Sequence, residues 1–182
     1  MAASAPKPLR LVVDSASLIT AAKFAVDGRT VAEHIVDRCQ VIIVPAVHNE
    51  VFLAGGVHPD AAQVQAMVAG GRIKVEAPSA SGVTVLDSYK LGRGEKESII
   101  LALTRLDVDY LVVDDRLAFI VSDRMTVPKI LLADLLVELV WKRIMERELS
   151  EQMLKAIEPR YASGFIPHTL RILEGGDRKC LT

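Results

Sequence analysis

The sequence predicts a three-layer α/β/α domain with a mostly parallel central sheet and a helical C-terminal tail. Short apolar runs alternate with segments of helical periodicity as far as residue 128. This alternation is typical of a parallel sheet that helices cover on both faces. Beyond that point the pattern is helical only. A chain of 182 residues with 51% hydrophobic content is long enough for one well-buried domain.

Five short runs rich in apolar and β-branched residues are expected to form strands. They are Leu9 to Val13, Val41 to Val44, Arg72 to Glu76, Tyr110 to Val113 and Met125 to Val127. The runs that begin at Leu9, Val41 and Tyr110 are the most apolar, with Arg10 as an interruption in the first, so they should form the centre of the sheet.

Helical periodicity lies between and after these strands. The predicted helices cover residues 16–24, 30–38, 46–54, 60–69, 94–106 and 116–123, and then 129–148, 150–158 and 167–174. Ser150 is expected to cap the second helix of the tail, and Pro167 stands early in the third.

The expected organisation is one domain with two short tails. Residues 1–8 and 177–182 should be disordered tails, residues 9–128 the α/β core, and residues 129–176 helices packed on the same domain. The start of the chain lacks the apolar stretch of a signal peptide. The apolar segment ILLADLLVELVW is too short to span a bilayer. We therefore expect a cytoplasmic protein with no membrane contact.

The balanced charge of the chain excludes the class of strongly basic proteins that bind nucleic acid through their overall charge. The chain has 22 basic and 23 acidic residues and a net charge of −1. A nucleic-acid partner would therefore have to be bound by a local group of cations, because no global positive field attracts it.

Carboxylates recur where a predicted strand gives way to a helix, or in the first turns of that helix. Asp14 ends LVVD, Glu50 lies in VPAVHNEV, Glu95 and Glu97 lie in GRGEKESIILAL, and Asp114 and Asp115 lie in YLVVDDR. Parallel strands all end at one edge of the sheet, so these acids should meet there. Several carboxylates on one rim make a site for a hard divalent cation, Mg²⁺ or Mn²⁺.

Each acid also has an ordinary structural explanation. Asp14 and Asp115 are in positions to cap the helices that follow them. Glu95 and Glu97 lie near the start of a helix, where the macrodipole favours negative charge. Glu50 could be a solvated residue on a helix surface.

Helical spacing weighs against these explanations at two of the positions. Glu50 shares a stripe with Ala46, Val47 and Val51, so its carboxylate should point inward. Glu97 precedes apolar residues by three and four in the same way. Inward carboxylates without a partner are costly. Because we expect no lysine or arginine on these stripes, a bound cation would be the least costly partner.

The ordered set of motifs resembles the PIN domain, a family of metal-dependent nucleases. The likeness runs from Leu11 to about Arg124: Asp14 with Leu18 and Ile19 after it, VP-x-x-x-x-E, the LGxGExE-x-I helix, and LVVDD. The tail, from Gly164 to Leu173, resembles the subgroup of VapC-like toxin ribonucleases. Two positions depart from the family pattern, Ala16 after the first aspartate and Val113 before the last acidic pair.

The resemblance implies a function and a set of residues. It implies an acidic quartet, Asp14, Glu50, Glu97 and Asp115, that holds Mg²⁺ or Mn²⁺ and hydrolyses single-stranded RNA, with Asp114 and Glu95 as secondary candidates. It makes a toxin of a toxin-antitoxin pair the expected setting, with an antitoxin protein as partner. Arg93, Lys96 and Arg116 flank these motifs and are candidates for binding RNA phosphates.

Two alternatives belong to other classes. A phosphoryl-transfer enzyme of the haloacid dehalogenase type also begins with a strand that ends in aspartate, but it needs a second aspartate where Ala16 stands. The stronger alternative is a catalytically silent PIN-like module that binds RNA or a protein, because Ala16 and Val113 alter the surroundings of the acids.

The stretch Ile130 to Ile144 suggests an interface. Two stripes run along it at helical spacing, and Leu132, Leu136, Val137, Val140, Trp141 and Ile144 make the second. One stripe can pack on the domain, and the other would then need a partner. We expect a homodimer, or an antitoxin segment bound in a groove.

Overall fold

The computed structural model describes residues 7–54, 59–79 and 84–175. The strands in these ranges are β1 Arg10–Val13, β2 Ala25–Val26, β3 Arg29–Thr30, β4 Gln40–Ile43, β5 Ile73–Val75, β6 Tyr110–Val112 and β7 Lys129–Ile130. Five of them form a parallel sheet in the order β5-β4-β1-β6-β7. The predicted parallel sheet is confirmed, and β1 lies at its centre.

Helices follow nearly every strand. They are α1 Ser15–Lys23, α2 Val31–Val36, α3 Pro45–Ala54, α4 Pro59–Ala69, α5 Arg93–Thr104, α6 Arg116–Arg124, α7 Leu132–Trp141, α8 Arg147–Ile157 and α9 Phe165–Gly175. Short 3-10 turns cover Thr84–Ser88 and Glu158–Arg160.

The central strands are covered on both faces. Leu11 of β1 pairs with Val41 of β4 on one side and with Tyr110 of β6 on the other. Both Leu11 and the next residue, Val12, are 0% exposed although they point to opposite faces of the sheet. Helices therefore pack on each face, which confirms the three-layer α/β/α architecture.

A small antiparallel hairpin, β2 with β3, joins α1 to α2 and was not predicted. Ala25 pairs with Thr30 across a turn in which Asp27 and Gly28 have φ values of 52° and 75°. Two successive residues with positive φ make the type I′ turn that suits such hairpins, and glycine adopts this backbone freely. The strands have two residues each, too few for a period to show in the sequence.

The strand predicted at Met125 to Val127 is wrong, because these residues end α6. Met125 N donates to Val121 O at 3.0 Å, and Thr126 has a left-handed φ of 56°. The strand lies four residues later, at Lys129–Ile130, where it pairs with Leu111 and Val112.

The helix predicted over 129–148 is also wrong at both ends. The strand β7 takes its first residues, and α7 stops at Trp141 because Arg143 turns into the left-handed region with φ 60°. Glycine usually stands at such a helix end, and with arginine there instead no residue signals the end of α7. Ser150, predicted as a cap, lies inside α8 and is 0% exposed, where its hydroxyl donates to Leu136 O of α7 at 3.0 Å.

The C-terminal helices pack on the rest of the chain. Helix α7 contacts α8 and α9, and α8 also contacts β2. Leu132, Leu136 and Val137 of the second stripe are at most 1% exposed. The other three residues of the stripe, Val140, Trp141 and Ile144, are partly buried against the same core. The stripe therefore does not require a partner to cover it, while the homodimer stays a prediction.

The predicted tails lie almost wholly outside the described residues: only 7 and 8 of residues 1–8 are described, and none of residues 177–182. No helix in the described ranges is long and apolar enough to cross a membrane.

Candidate functional site

Asp14 lies at the centre of the carboxyl edge of the sheet. It follows β1, and its backbone N–H continues the pairing with β6 by donating to Val112 O at 3.1 Å. Its carboxylate caps α1 by accepting from Ser17 N at 2.7 Å, and the residue is 1% exposed. The capping role considered from sequence is therefore present, yet it satisfies a carboxylate that water hardly reaches.

Asp114 lies at the end of the neighbouring strand, β6. Its Oδ1 accepts from Leu132 N at 3.0 Å, and its Oδ2 accepts from the hydroxyl of Tyr161 at 3.0 Å. The Tyr161 ring stacks on Phe165 with 5.2 Å between the ring centroids. The C-terminal segment therefore holds one oxygen of Asp114 in place.

Asp134, in the first turn of α7, completes what we call the inner acid group with Asp14 and Asp114. Burial raises the pKa of Asp14 to about 6, and the charge of Asp114 adds to this effect. Burial raises the pKa of Asp114 too, against hydrogen bonds from Leu132 and Tyr161. Burial and the charge of Asp114 raise the pKa of Asp134 to about 7. None of the ion pairs in the described ranges involves these three residues.

Glu50, Glu95 and Asp115 form an outer acid group around the start of α5. Glu95 Oε2 accepts from Gly92 N at 2.8 Å, and Asp115 caps α6 by accepting from Ala118 N at 2.8 Å. Burial raises the pKa of Glu95, and the charges of Asp115 and Glu50 raise it further. Glu95 therefore lies within electrostatic reach of both Asp115 and Glu50.

Glu50 does not point inward as predicted. The residue is exposed, and its carboxylate lies on the first turn of α5, where Gly94 N donates to Oε1 at 3.3 Å. A Cβ atom built on Gly94 would lie 3.0 Å from both carboxylate oxygens. The two helices approach this closely because Gly94 has no side chain, so Glu50 leaves the stripe to bind a helix N-terminus.

Glu97 is only 17% exposed and links α5 to the start of α3. Its Oε2 accepts from Ala46 N at 3.2 Å, and its Oε1 accepts from Arg93 Nε at 2.7 Å. The expectation that no basic side chain reaches this stripe is therefore wrong. Arg93 is four residues before Glu97, a spacing at which helical side chains meet.

The other predicted phosphate ligands differ in their contacts. Lys96 Nζ lies 3.1 Å from Asp87 Oδ1. Arg116 is exposed in the first turn of α6, next to Asp115. Together with Arg93, which is 81% exposed, they place three cations on the helices that carry the outer acid group.

The predicted quartet is distributed over both parts of the site. Asp14 lies in the inner acid group, Glu50 and Asp115 lie in the outer one, and Glu97 lies between α5 and α3. Within the ranges that the structure describes, no three acidic, histidine or cysteine side chains converge as ready-made metal ligands.

Residues that sequence reasoning missed include Asp134 and Tyr161. Asp134 was visible as an acid inside an apolar run, which is a signal for a buried functional group. Tyr161 gave no signal, because nothing in the sequence connects it with Asp114, 47 residues earlier.

The donor chemistry of the inner acid group fits a hard cation such as Mg²⁺ or Mn²⁺. Its carboxylates offer oxygen atoms only, and they repel one another. The hydroxyl of Ser17 is fully buried beside the carboxylates of Asp14 and Asp114, and its interaction with them lowers the pKa of both. Asp14, Asp114 and Ser17 are thus the residues best placed to hold such an ion.

Comparison with known proteins places the chain in a family. No curated protein and no solved structure matched it. The sequence profile of the PIN domain matches residues 10–174, from the first strand into the last helix. PIN domains are generally nucleases and typically use divalent metals. With its parallel sheet and the acids at the carboxyl edge, the chain belongs to the PIN domain family and has a nuclease-type fold.

Proposed function

We propose that the protein is a Mg²⁺- or Mn²⁺-dependent endoribonuclease that cleaves single-stranded RNA. The observation that carries the proposal is the inner acid group. Asp14 is 1% exposed and lies beside Asp114, and within the described part of the chain neither carboxylate forms an ion pair with a basic side chain. Such a group is costly unless a cation binds it, and a nuclease-type fold gives that cation a use.

The protein's own groups have distinct roles in this proposal. Asp14 and Asp114 hold the ion from the sheet, and Asp115, Glu97 and Glu50 complete its surroundings from α6, α5 and α3. A bound divalent ion would supply a water of lowered pKa and positive charge beside the scissile phosphate.

Three cations would bind and orient the RNA backbone. Arg93, Lys96 and Arg116 stand on the rim, on α5 and α6. Exchange of Arg93 from Glu97 to a phosphate costs little, because its side chain is 81% exposed and exposed ion pairs are weak. The same exchange frees Glu97 for the metal site.

The biological setting is part of the proposal. We infer a cytoplasmic toxin that acts as a homodimer and is neutralised by an antitoxin protein. The support is the likeness of the tail to toxin ribonucleases. Uncontrolled RNA cleavage would harm the cell, so such a toxin needs an antitoxin that inhibits it.

A nuclease assay with matched variants tests the activity. Cleavage of a labelled single-stranded RNA by the wild type should rise with added Mg²⁺ or Mn²⁺ and stop in EDTA. Asp14→Asn should lose at least about a hundredfold in rate, on the order of 3 kcal/mol of barrier. Asparagine keeps the capping ability of aspartate, so circular dichroism should be unchanged.

Asp123→Asn is the control for the loss of a negative charge, since Asp123 lies near the C-terminal end of α6, away from the acid groups, and is 70% exposed. It should cleave like the wild type. Full activity in a folded Asp14→Asn variant would refute the role of Asp14.

The Arg93 to Glu97 contact favours a second candidate, a PIN-like module that binds RNA or a protein without cutting. It occupies a carboxylate that the resemblance assigns to the metal. RNA binding in a gel shift, with no cleavage at any metal concentration by the wild type or by Arg93→Ala, would establish this alternative.

A further inference from the structure

A cavity of about 290 Å³ lies between α1, α3 and α4, outside both acid groups. Its apolar wall includes Ile19, Val51 and Val64. Its polar lining residues are Lys23, Asp60 and Arg160. An apolar cleft with a few polar groups is the usual form of a site for a small organic group, and this volume lies near the lower end of their range, roughly 300 to 1000 Å³.

The cavity adjoins the acid site. Helix α1 begins at the cap residue Asp14, and Ile19 lies about 8 Å further along its axis at about 1.5 Å per residue. Arg160 lines the cavity, and its charge also reaches Asp114, whose pKa it lowers. Its Nε lies 3.4 Å from Thr20 Oγ1, on the same helix. Arg160 is therefore close enough to interact both with the acid site and with a group bound in the cavity.

We propose that this cavity binds one base of the RNA and that Asp60 makes it select guanine; this rests on the proposed function. The cations Lys23 and Arg160 suit the phosphates on either side of the base. Apolar side chains suit the faces of an unstacked base, and its edge is then read by hydrogen bonds.

The choice of guanine follows from the hydrogen-bonding groups of the bases. A carboxylate only accepts hydrogen bonds, and it does so with two oxygens. Guanine presents two donors side by side, N1–H and the N2 amino group. Uracil presents one donor between two carbonyl oxygens, and adenine and cytosine present an amino group beside an acceptor nitrogen. Only guanine matches both oxygens of Asp60 without repulsion.

Methyl NMR in EDTA tests the inference apart from cleavage. The probes are GMP, AMP, CMP and UMP, with inorganic phosphate as a further arm. GMP should shift the methyl signals of Ile19, Val51 and Val64 and leave Ile172 of α9 unchanged. A paired hydrogen bond of this kind should favour GMP by about tenfold or more over the other three nucleotides.

Two variants, each with a control, identify the groups involved. Asp60→Asn should lose the preference for GMP, whereas Asp123→Asn should keep it. Lys23→Gln should weaken the binding of all four nucleotides alike. Lys155 is exposed on α8, and Lys155→Gln should not change the binding of any of them.

Equal shifts with all four nucleotides, shifts with phosphate alone, or no shift at the three methyl groups would overturn the inference. RNA cleavage together with any of these results would leave the nuclease function standing without the base site. Selective GMP binding in a protein that cuts no RNA would support the base site and count against the nuclease function.

Discussion

The carboxyl group of Asp14 is held where water cannot solvate its charge. It is 1% exposed, and its pKa rises from 3.8 to about 6 because of that burial. The folded protein therefore binds this proton more tightly than the unfolded chain does. The stability that this bound proton adds to the fold is fully present below about pH 4 and is lost as the pH rises through 6.

Removing this charge should stabilise the metal-free protein at neutral pH. Asp14→Asn is expected to raise the free energy of unfolding at pH 7.5 by about 1 to 3 kcal/mol, since one pKa unit corresponds to about 1.4 kcal/mol. The gain should shrink toward zero near pH 3, where Asp14 is largely protonated in both the folded and the unfolded wild type. Urea unfolding in EDTA at the two pH values measures it.

The exposed Asp123→Asn serves as control, with an expected change within about 1 kcal/mol, because it removes only an ion pair with Lys129 at the surface. A loss of stability in Asp14→Asn at pH 7.5 would show that the cap, rather than the buried charge, dominates at this residue.

At the level of elements, the close approach of α3 and α5 positions the outer acid group. A Cβ atom on Gly94 would lie 3.0 Å from the oxygens of Glu50 and 3.1 Å from Cγ2 of Val47. A side chain at this position would make the Glu50 carboxylate or the buried Val47 shift by a few tenths of an ångström, so glycine permits the present spacing of α5 and α3. The same turn carries Glu95 and leads to Glu97.

Gly94→Ala should lower the stability of the fold although alanine favours helix by about 1 kcal/mol. Overpacking between two helices typically costs about 1 to 3 kcal/mol, and the buried Val47, whose Cγ2 would lie 3.1 Å from the added Cβ, cannot move aside freely, so we expect a net loss. Urea unfolding should show the loss. Adding Glu50→Ala should recover part of it, because the nearest atoms are then gone.

Gly175→Ala is the control, since a Cβ there meets nothing within 4 Å. If Gly94→Ala were as stable as Gly175→Ala, the helices would have room to separate and the contact would not fix Glu50.

Sequence patterns predicted the elements whose cause is local and repeated. Apolar runs located the central strands, and the rule that parallel strands end at one edge correctly brought Asp14 and Asp114 together. Features set by single backbone turns were missed, such as the left-handed Arg143 that ends α7. The contact of Tyr161 with Asp114 depends on how the tail folds back, which no local pattern encodes.

One error at the site was avoidable from the sequence. The four-residue spacing of Arg93 and Glu97 is the ordinary spacing of a helical ion pair. The inward direction predicted for Glu50 failed for another reason, because the N–H groups at the start of α5 offered its carboxylate a partner on a neighbouring helix.

In the molecule as a whole, α7 forms the core of the C-terminal half instead of an outer surface. Leu136 is 0% exposed beneath α8 and α9. Among the described residues, large apolar side chains are exposed on other helices: Phe52 and Leu53 of α3 are 56% and 81% exposed, and Leu117 and Ile120 of α6 are 36% and 42% exposed. If the protein forms a homodimer, we expect its interface to bury exposed apolar side chains such as these on α3 or α6.

Leu136→Glu should therefore unfold the chain instead of separating two copies. A carboxylate placed among apolar side chains costs several kcal/mol, against a total stability of about 5 to 15 kcal/mol for a typical domain. Circular dichroism and light scattering on the same sample distinguish the outcomes. Leu117→Glu is the exposed control and should stay folded. A folded, monomeric Leu136→Glu beside a dimeric wild type would place the interface on α7 after all.

The hydrogen bond from Tyr161 to Asp114 also sets an order of events during synthesis. The two residues are 47 positions apart, so the ribosome adds Tyr161 roughly 2 to 9 seconds after Asp114 at about 5 to 20 residues per second. Until then Asp114 lacks the partner of its Oδ2. A growing chain thus carries all the acids of the site before it can fix them, and the last-made segment completes the centre only when translation of the domain is nearly over.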